Sequence, residues 1–195
     1  MDIQRYLASV NVTDVFVFLY LFGFFIVGFA QGSIRRLVGI ASIVFAFFLS
    51  AQIQLPLGQF LSDNWKQFPA AYGQMIGFLV VFIVAVVIFS IVIQGSYHRT
   101  EVFAKYPIVE EIFGGLFGIF QGFLILMFLT IILDQFFSLT TYPTDPDELP
   151  YLRDLWQAIN GSGTGQLLHT TVIPHFVSFC AILLPSTVRI TYGLG

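Results

Sequence analysis

The chain has 195 residues, of which 57% are hydrophobic and only 10% charged, whereas a soluble domain carries about 25% charge. A mean hydropathy of +0.87 excludes a protein that covers itself with polar surface, and a net charge of −3 with eight scattered basic residues provides no basic stripe for nucleic acid. The one cysteine, Cys180, excludes an internal disulfide and a cysteine-based metal site.

Asp2 and Arg5 stand ahead of an apolar run that begins just after Asp14. This is not the layout of a cleaved signal peptide, so the first segment is expected to be an uncleaved span. The apolar sequence then continues to residue 53, interrupted only by QGSIRR. Arg35 and Arg36 are costly at mid-membrane, so they divide the run into spans at 12–31 and 34–53. Gly32 and Ser33 supply a tight turn and an N-cap. A single helix of about 40 residues is the structural rival, and it would bury both arginines in lipid.

LPLGQFLSDNWKQFPAAYG follows, with Leu57, Phe60, Leu61 and Trp65 near one helical face. Trp65 and Tyr72 suit the headgroup zone, and an interfacial helix near 57–68 is expected. Residues 75–93, MIGFLVVFIVAVVIFSIVI, are 19 long and uncharged. Their β-branched side chains would favour a strand in water, but a lone strand in lipid leaves its backbone unpaired. The third span is therefore helical.

The fourth span is expected at 112–133. Pro107 opens the turn before it, Glu110 and Glu111 suit a helix N-terminus, and Asp134 closes it. It contains GGLFGIFQG, in which Gly114, Gly118 and Gly122 are four apart and share a face. Gly115 widens that strip. Small residues at this spacing let membrane helices approach closely. A phosphate-cradling loop would need a lysine or polar context that is absent here; a hinge is the functional rival. GFAQG at 28–32 matches GIFQG at 118–122. Gly28 and Gly32 are thus expected to pack against the glycines of the fourth span. Gln31 and Gln121 are expected to make polar contacts, because an unpaired amide in lipid costs several kcal/mol. A third Gln-Gly pair, Gln94-Gly95, ends the third span.

The remainder is a polar proline-rich loop, TTYPTDPDELP, then the amphipathic YLRDLWQAIN, the break GSGTG and the apolar LLHTTVIPHFVSFCAILLP. That last run either spans the membrane, re-enters it or lies at its surface. The fold expected is an all-α membrane protein. Residues 1–137 form a compact four-helix transmembrane bundle, and 138–195 an extracytoplasmic loop with short interfacial or re-entrant helices. Basic residues tie across the two sides of such a bundle, with Arg35, Arg36, Arg99 and Lys105 against Arg5, Lys66, Arg153 and Arg189. Arg35 and Arg36 sit directly at span ends, which favours their side as cytoplasmic and both termini as extracytoplasmic.

In their joint order these features resemble the colicin V production protein family of bacterial inner-membrane proteins. The resemblance lies in the run from Asp14 to GFAQGSIRRLVG, where Gly28, Gly32, Arg35 or Arg36, and Leu37 fit the family pattern. It lies also in EEIFGGLFGIFQGFLILMFL, where Glu111, Gly114, Gly115, Gly118 and Gly122 fit, and in the tail with TTVIPHF and ILLP. The family often has a basic residue just before the second glycine of each motif. Here those positions hold Gln31 and Gln121, so a charge-based role does not carry over. The resemblance implies a membrane role in colicin V production or export; related domains also anchor extracytoplasmic proteases. It implies no reaction mechanism.

Three function classes compete. An enzyme lacks support: His169 and His175 are six apart around Pro174 with no nucleophile motif, and Asp145, Asp147 and Glu148 lack a calcium-ligand order. No enzymatic activity, cofactor or metal is expected. A small oligomeric transporter or channel fits the internal similarity but has almost no intramembrane charge, with Asp14 and Asp134 at solvent-reachable span ends. A scaffold or assembly factor, working with membrane lipids and a membrane-protein partner or a second copy of itself, fits the glycine faces and the tail best. A polar channel containing Gln31, Gln94 or Gln121 would argue for transport, and a dry packed bundle for the scaffold.

Overall fold

The computed structural model describes residues 11–64, 69–96, 107–138 and 149–193. Trp65, Lys66, Arg5, Arg99, Lys105, the 139–148 loop and the side chain of Gln94 lie outside the described residues. Within them the chain is all helical. Four helices are long and apolar enough to cross a membrane: α1 Val12–Gln31, α2 Ser33–Asn64, α3 Ala70–Ser96 and α4 Pro107–Phe137. Short helices follow: α5 Pro150–Asn160, α6 Gly163–Leu167, a wide π-helical turn Leu168–Val172, α7 Ile173–Phe179 and α8 Ser186–Thr191.

Two junctions set the bundle. Asn11 starts α1, its side chain accepting from the Thr13 amide at 3.0 Å, as an N-cap does. Gly32 ends it at φ 81, in the left-handed region that a side chain disfavours, while its amide donates to the Gly28 carbonyl at 3.0 Å. The chain reverses there and α2 begins at once. Its first amide, that of Ser33, donates to the buried Glu110 carboxylate at 2.9 Å, and the Ser33 hydroxyl donates to the same oxygen at 2.6 Å. The acid from α4 thus takes the place of a local cap.

Helix α2 differs from expectation. It runs unbroken through Pro56 to Asn64, so residues 57–64 prolong the second span instead of forming a separate interfacial helix. Pro56 forfeits one backbone bond, and close packing on α3 holds the rest. A Cβ at Gly58 would lie 2.6 Å from the Gln74 Cα, and Gly73 and Gly77 line the same approach. Tyr72 also moves from the expected headgroup zone to the interior. It is 1% exposed, sits edge-on to Phe136 at 5.0 Å, and its hydroxyl accepts from the Leu149 amide at 2.9 Å.

Helix α4 is the centre of the bundle. It packs on α1 along one side and on α2 and α3 along the other, while α1 and α2 touch little beyond their turn. Among the buried side chains, Phe47 of α2 stacks on Phe128 of α4 at 4.1 Å and 8°, flanked by Phe78, Phe82 and Phe176. This aromatic layer closes the bundle at mid-height. The outer faces of α1 and α3 carry exposed Phe16, Phe18, Phe22, Val84, Ile88 and Ile91. Such faces suit acyl chains, which satisfy apolar side chains as well as a protein core does.

The tail is part of this core. Leu168, Ile173, Val177 and Val188 are fully buried, and Phe176 contacts both members of the aromatic stack. The run 167–184 does not form one straight helix. It descends through α7, turns after Cys180 and returns through α8, with Phe179 and Ile182 exposed at the tip. Gln52 and Gln54 of α2 donate to the Leu183 carbonyl and the Thr187 hydroxyl on the turn and the returning arm.

Candidate functional site

Three arrangements of polar or small residues stand out, and each is positioned by the α4 axis. The first is the α1–α4 seam. The two helices run antiparallel, so the GFAQG and GIFQG motifs do not meet residue for residue. Gly28 lies between Gly114 and Gly118, Gly32 lies beside Gly114, and Gly122 faces Phe24 and Leu21. A Cβ at Gly114 would lie 2.5 Å from the Gly28 carbonyl oxygen, and one at Gly115 would lie 2.5 Å from the Phe25 ring. Backbone touches backbone along this seam, which only glycine permits. Tyr20 adds one bond, its hydroxyl donating to the Gly122 carbonyl at 3.2 Å.

The second arrangement is at the end where the tail joins. Asp14 accepts from the Gly163 and Thr164 amides at 2.9 Å each and from the Thr164 hydroxyl at 2.8 Å. Asn11 donates to the Gly161 carbonyl. The carboxylate of α1 therefore satisfies the first amides of α6. Asp134 is not solvent-reachable, as its position at the end of α4 suggested. It is 1% exposed and accepts from Trp156 Nε1 at 2.8 Å and from the Tyr192 hydroxyl. His169 Nδ1 is 3.3 Å away, and its Nε2 meets Asn160 Oδ1. Burial, the Asp134 charge and the hydrogen bond to it push the Tyr192 phenol far above its ordinary range, so it remains a donor. One acid thus holds three tail elements. Among the described residues, no group of three or more His, Cys, Asp or Glu could hold a metal ion.

The third arrangement is a cleft of about 530 Å³ between α1 and the α2–α3 pair, floored by α4. Its polar end is made by Gln31, Arg35, Arg36 and Gln121. Arg36 was expected to mark a span end in water. It is instead 6% exposed, its Nη1 donates to Gln121 Oε1 at 2.6 Å, and its guanidinium lies 6.0 Å from the Phe24 ring centre. Gly39 makes room for this pair, since a Cβ there would stand 3.1 Å from Gln121 Nε2. Arg35 is half-buried at the rim. Toward mid-height the walls are apolar, with Leu19, Val27, Ile43, Val86 and Ile125. Phe47, Phe82 and Phe128, each about one turn further on, are buried and end the cleft.

Of the residues singled out in the sequence, the glycines lie along the α1–α4 contact, Gln121 accepts from Arg36 and Gln31 lines the cleft. Sequence reasoning missed Gly39, the inward turn of Arg36, the two aspartate hubs and the Gly58–Gly73–Gly77 contact. Only the last had a usable signal, the four-residue spacing of Gly73 and Gly77.

A family model described as Colicin V production protein matches residues 13–184. No curated protein and no solved structure matches the chain.

Proposed function

The chain belongs to the colicin V production protein family, and on that premise we propose that this multi-pass membrane protein acts as an integral scaffold, or assembly and export factor, of the colicin V production type. The observation that carries this reading is the layer of buried Phe47, Phe82 and Phe128 with the partly buried Phe176 packed against it. It separates the cleft from the Asp134 end, so the bundle is built as a closed body with pinned ends. A closed body with a glycine-tight seam presents stable outer faces to a membrane-protein partner or to a second copy. In-membrane crosslinking from Phe18 and Phe22, in cells producing and not producing the toxin, tests this. The reading predicts a partner that depends on those positions, and an unchanged crosslinking pattern across α1 would refute it.

A one-sided cleft with Gln31, Gln121 and two arginines favours a second reading, a small transporter caught closed at its aromatic layer. Solute uptake by proteoliposomes of the purified chain separates the two. Flux that Gln121→Leu abolishes would favour transport and count against the scaffold.

The same reading locates the protein in the bacterial inner membrane with Arg35 and Arg36 on the cytoplasmic side and both termini outside. The Asp14–Gly163 bonds support termini on a common side, because they join the start of α1 to the tail. A reporter fused after Gly195 is expected to be active only outside the cytoplasm; cytoplasmic activity would overturn the orientation.

A further inference from the structure

The α1–α3 cleft contains a charge that no carboxylate among the described residues answers. Arg36 is 6% exposed, its Nε has no hydrogen-bond partner, and its one polar contact is the neutral amide of Gln121. Neither Arg36 nor Arg35 forms an ion pair among the described residues. A buried guanidinium without a counter-ion is costly. Polar cations in a span ordinarily find a partner or reach the interface. The free Nε edge of Arg36, with Arg35 at the rim, matches the two-oxygen face of a phosphate, the anion that guanidinium binds in parallel pairs of bonds.

The remainder of the cleft fits what a membrane phosphate carries. Its volume of about 530 Å³ lies within the about 300–1,000 Å³ of small-molecule sites. Arg35 and Ile43 bound it along α2, eight residues or about 12 Å apart, close to the depth of one leaflet of a hydrocarbon core about 30 Å thick. The walls along that depth include Leu19, Val27, Val86 and Ile125, with Tyr20 and Ser90 as further polar side chains in the lining. Helices α1 and α3 scarcely touch, so the cleft opens sideways, where lipid can enter. Among the described residues no Asp or Glu lines it, so none of them offers a carboxylate to the ammonium of a zwitterionic headgroup.

We propose that this cleft is a binding site for an anionic phospholipid, with the headgroup phosphate on Arg36 and Arg35 and an acyl chain lying along the apolar walls toward the aromatic layer. Basic pockets between membrane helices are known settings for such headgroups. The site is independent of whether the bundle serves as scaffold or transporter.

The test uses the purified full chain in mild detergent. Native mass spectrometry compares phosphatidylglycerol with phosphatidylethanolamine at equal concentration, and a phosphatidylglycerol carrying a photoreactive chain maps the contact. Phosphatidylglycerol should be retained at least about tenfold better, and adducts should fall on Leu19, Val86 or Ile125. Arg36→Gln should reduce retention about tenfold or more. Arg35→Gln, at a half-exposed position without a hydrogen bond, keeps the test valid if the Arg36 variant fails to fold. Val86→Trp fills the apolar part and should reduce retention with both arginines intact. Equal retention of the two lipids, or adducts confined to the outward Val84 and Ile88, would overturn the proposal. So would wild-type retention in both Arg35→Gln and Val86→Trp. Displacement by glycerol 3-phosphate alone would also overturn it, by assigning the site to a soluble phosphate.

Discussion

Gly118→Ala tests the α1–α4 seam most directly. A methyl group at this position would overlap the Phe24 carbonyl oxygen, lie 3.0 Å from the Phe24 carbonyl carbon and 3.2 Å from the Gly28 Cα. All three are backbone atoms of α1, so no rotamer change relieves the overlap and the whole helix must back away from α4. The same retreat loosens Gly28 against Gly114 and stretches the Tyr20 bond to Gly122. Overpacking of this kind costs about 1–3 kcal/mol, against which replacing a mid-helix glycine by alanine returns up to about 1 kcal/mol. In a chain of this length each kcal/mol moves the midpoint by roughly 2–4 °C, so the net expectation is a fall of several degrees in Tm. Gly23→Ala is the control: nothing lies within 4 Å of a Cβ there, so only the propensity gain should register. Thermal unfolding of both variants in the same detergent reads the difference. If Gly118→Ala proves as stable as Gly23→Ala, the seam does not depend on its glycines and the packing argument is wrong.

Three further predictions concern the junctions. Gly32→Ala forces a side chain into φ 81 and should cost about 1–2 kcal/mol, seen as a lowered Tm; an unchanged midpoint would show that the turn can relax. Asp14→Ala removes the acceptor of the Gly163 and Thr164 amides. With a capping interaction of about 1 kcal/mol lost, hydrogen exchange at those amides should rise roughly fivefold, whereas exchange at the wild-type rate would exclude the latch. Asp134→Asn puts an amide donor where Trp156 and Tyr192 both donate. One buried donor is left unsatisfied at about 1–3 kcal/mol. Trp156 fluorescence should report early release of the tail on heating, and coincident wild-type melting would refute the hub.

Much of the bundle follows from residue order alone. Apolar runs of about twenty residues require helices in lipid. Arg35 and Arg36 break the longest run where α1 ends. The four-residue period of Gly114, Gly118 and Gly122 marks one face of α4 as a contact surface, and the copy at Gly28 and Gly32 points to α1 as the partner. These are local properties, because period, charge and glycine content act within one helix.

What only the tertiary structure decided concerns direction. In water, the polar side of a helix identifies its outside. In lipid the core-facing and lipid-facing sides are both apolar, so the sequence of α3 carries no contrast to orient it. Tyr72 reads equally well as a headgroup anchor or as a core residue, and packing against Phe136 makes it the latter. Asp134 reads as a solvated span end until Trp156, Tyr192 and His169 fold over it from the tail. Arg36 reads as a topology signal until its side chain turns inward to Gln121 across the gap that Gly39 leaves. Each outcome depends on a partner 22 to 85 residues away. A helix end is polar wherever it lies, and only the assembled neighbours determine whether water or protein satisfies it.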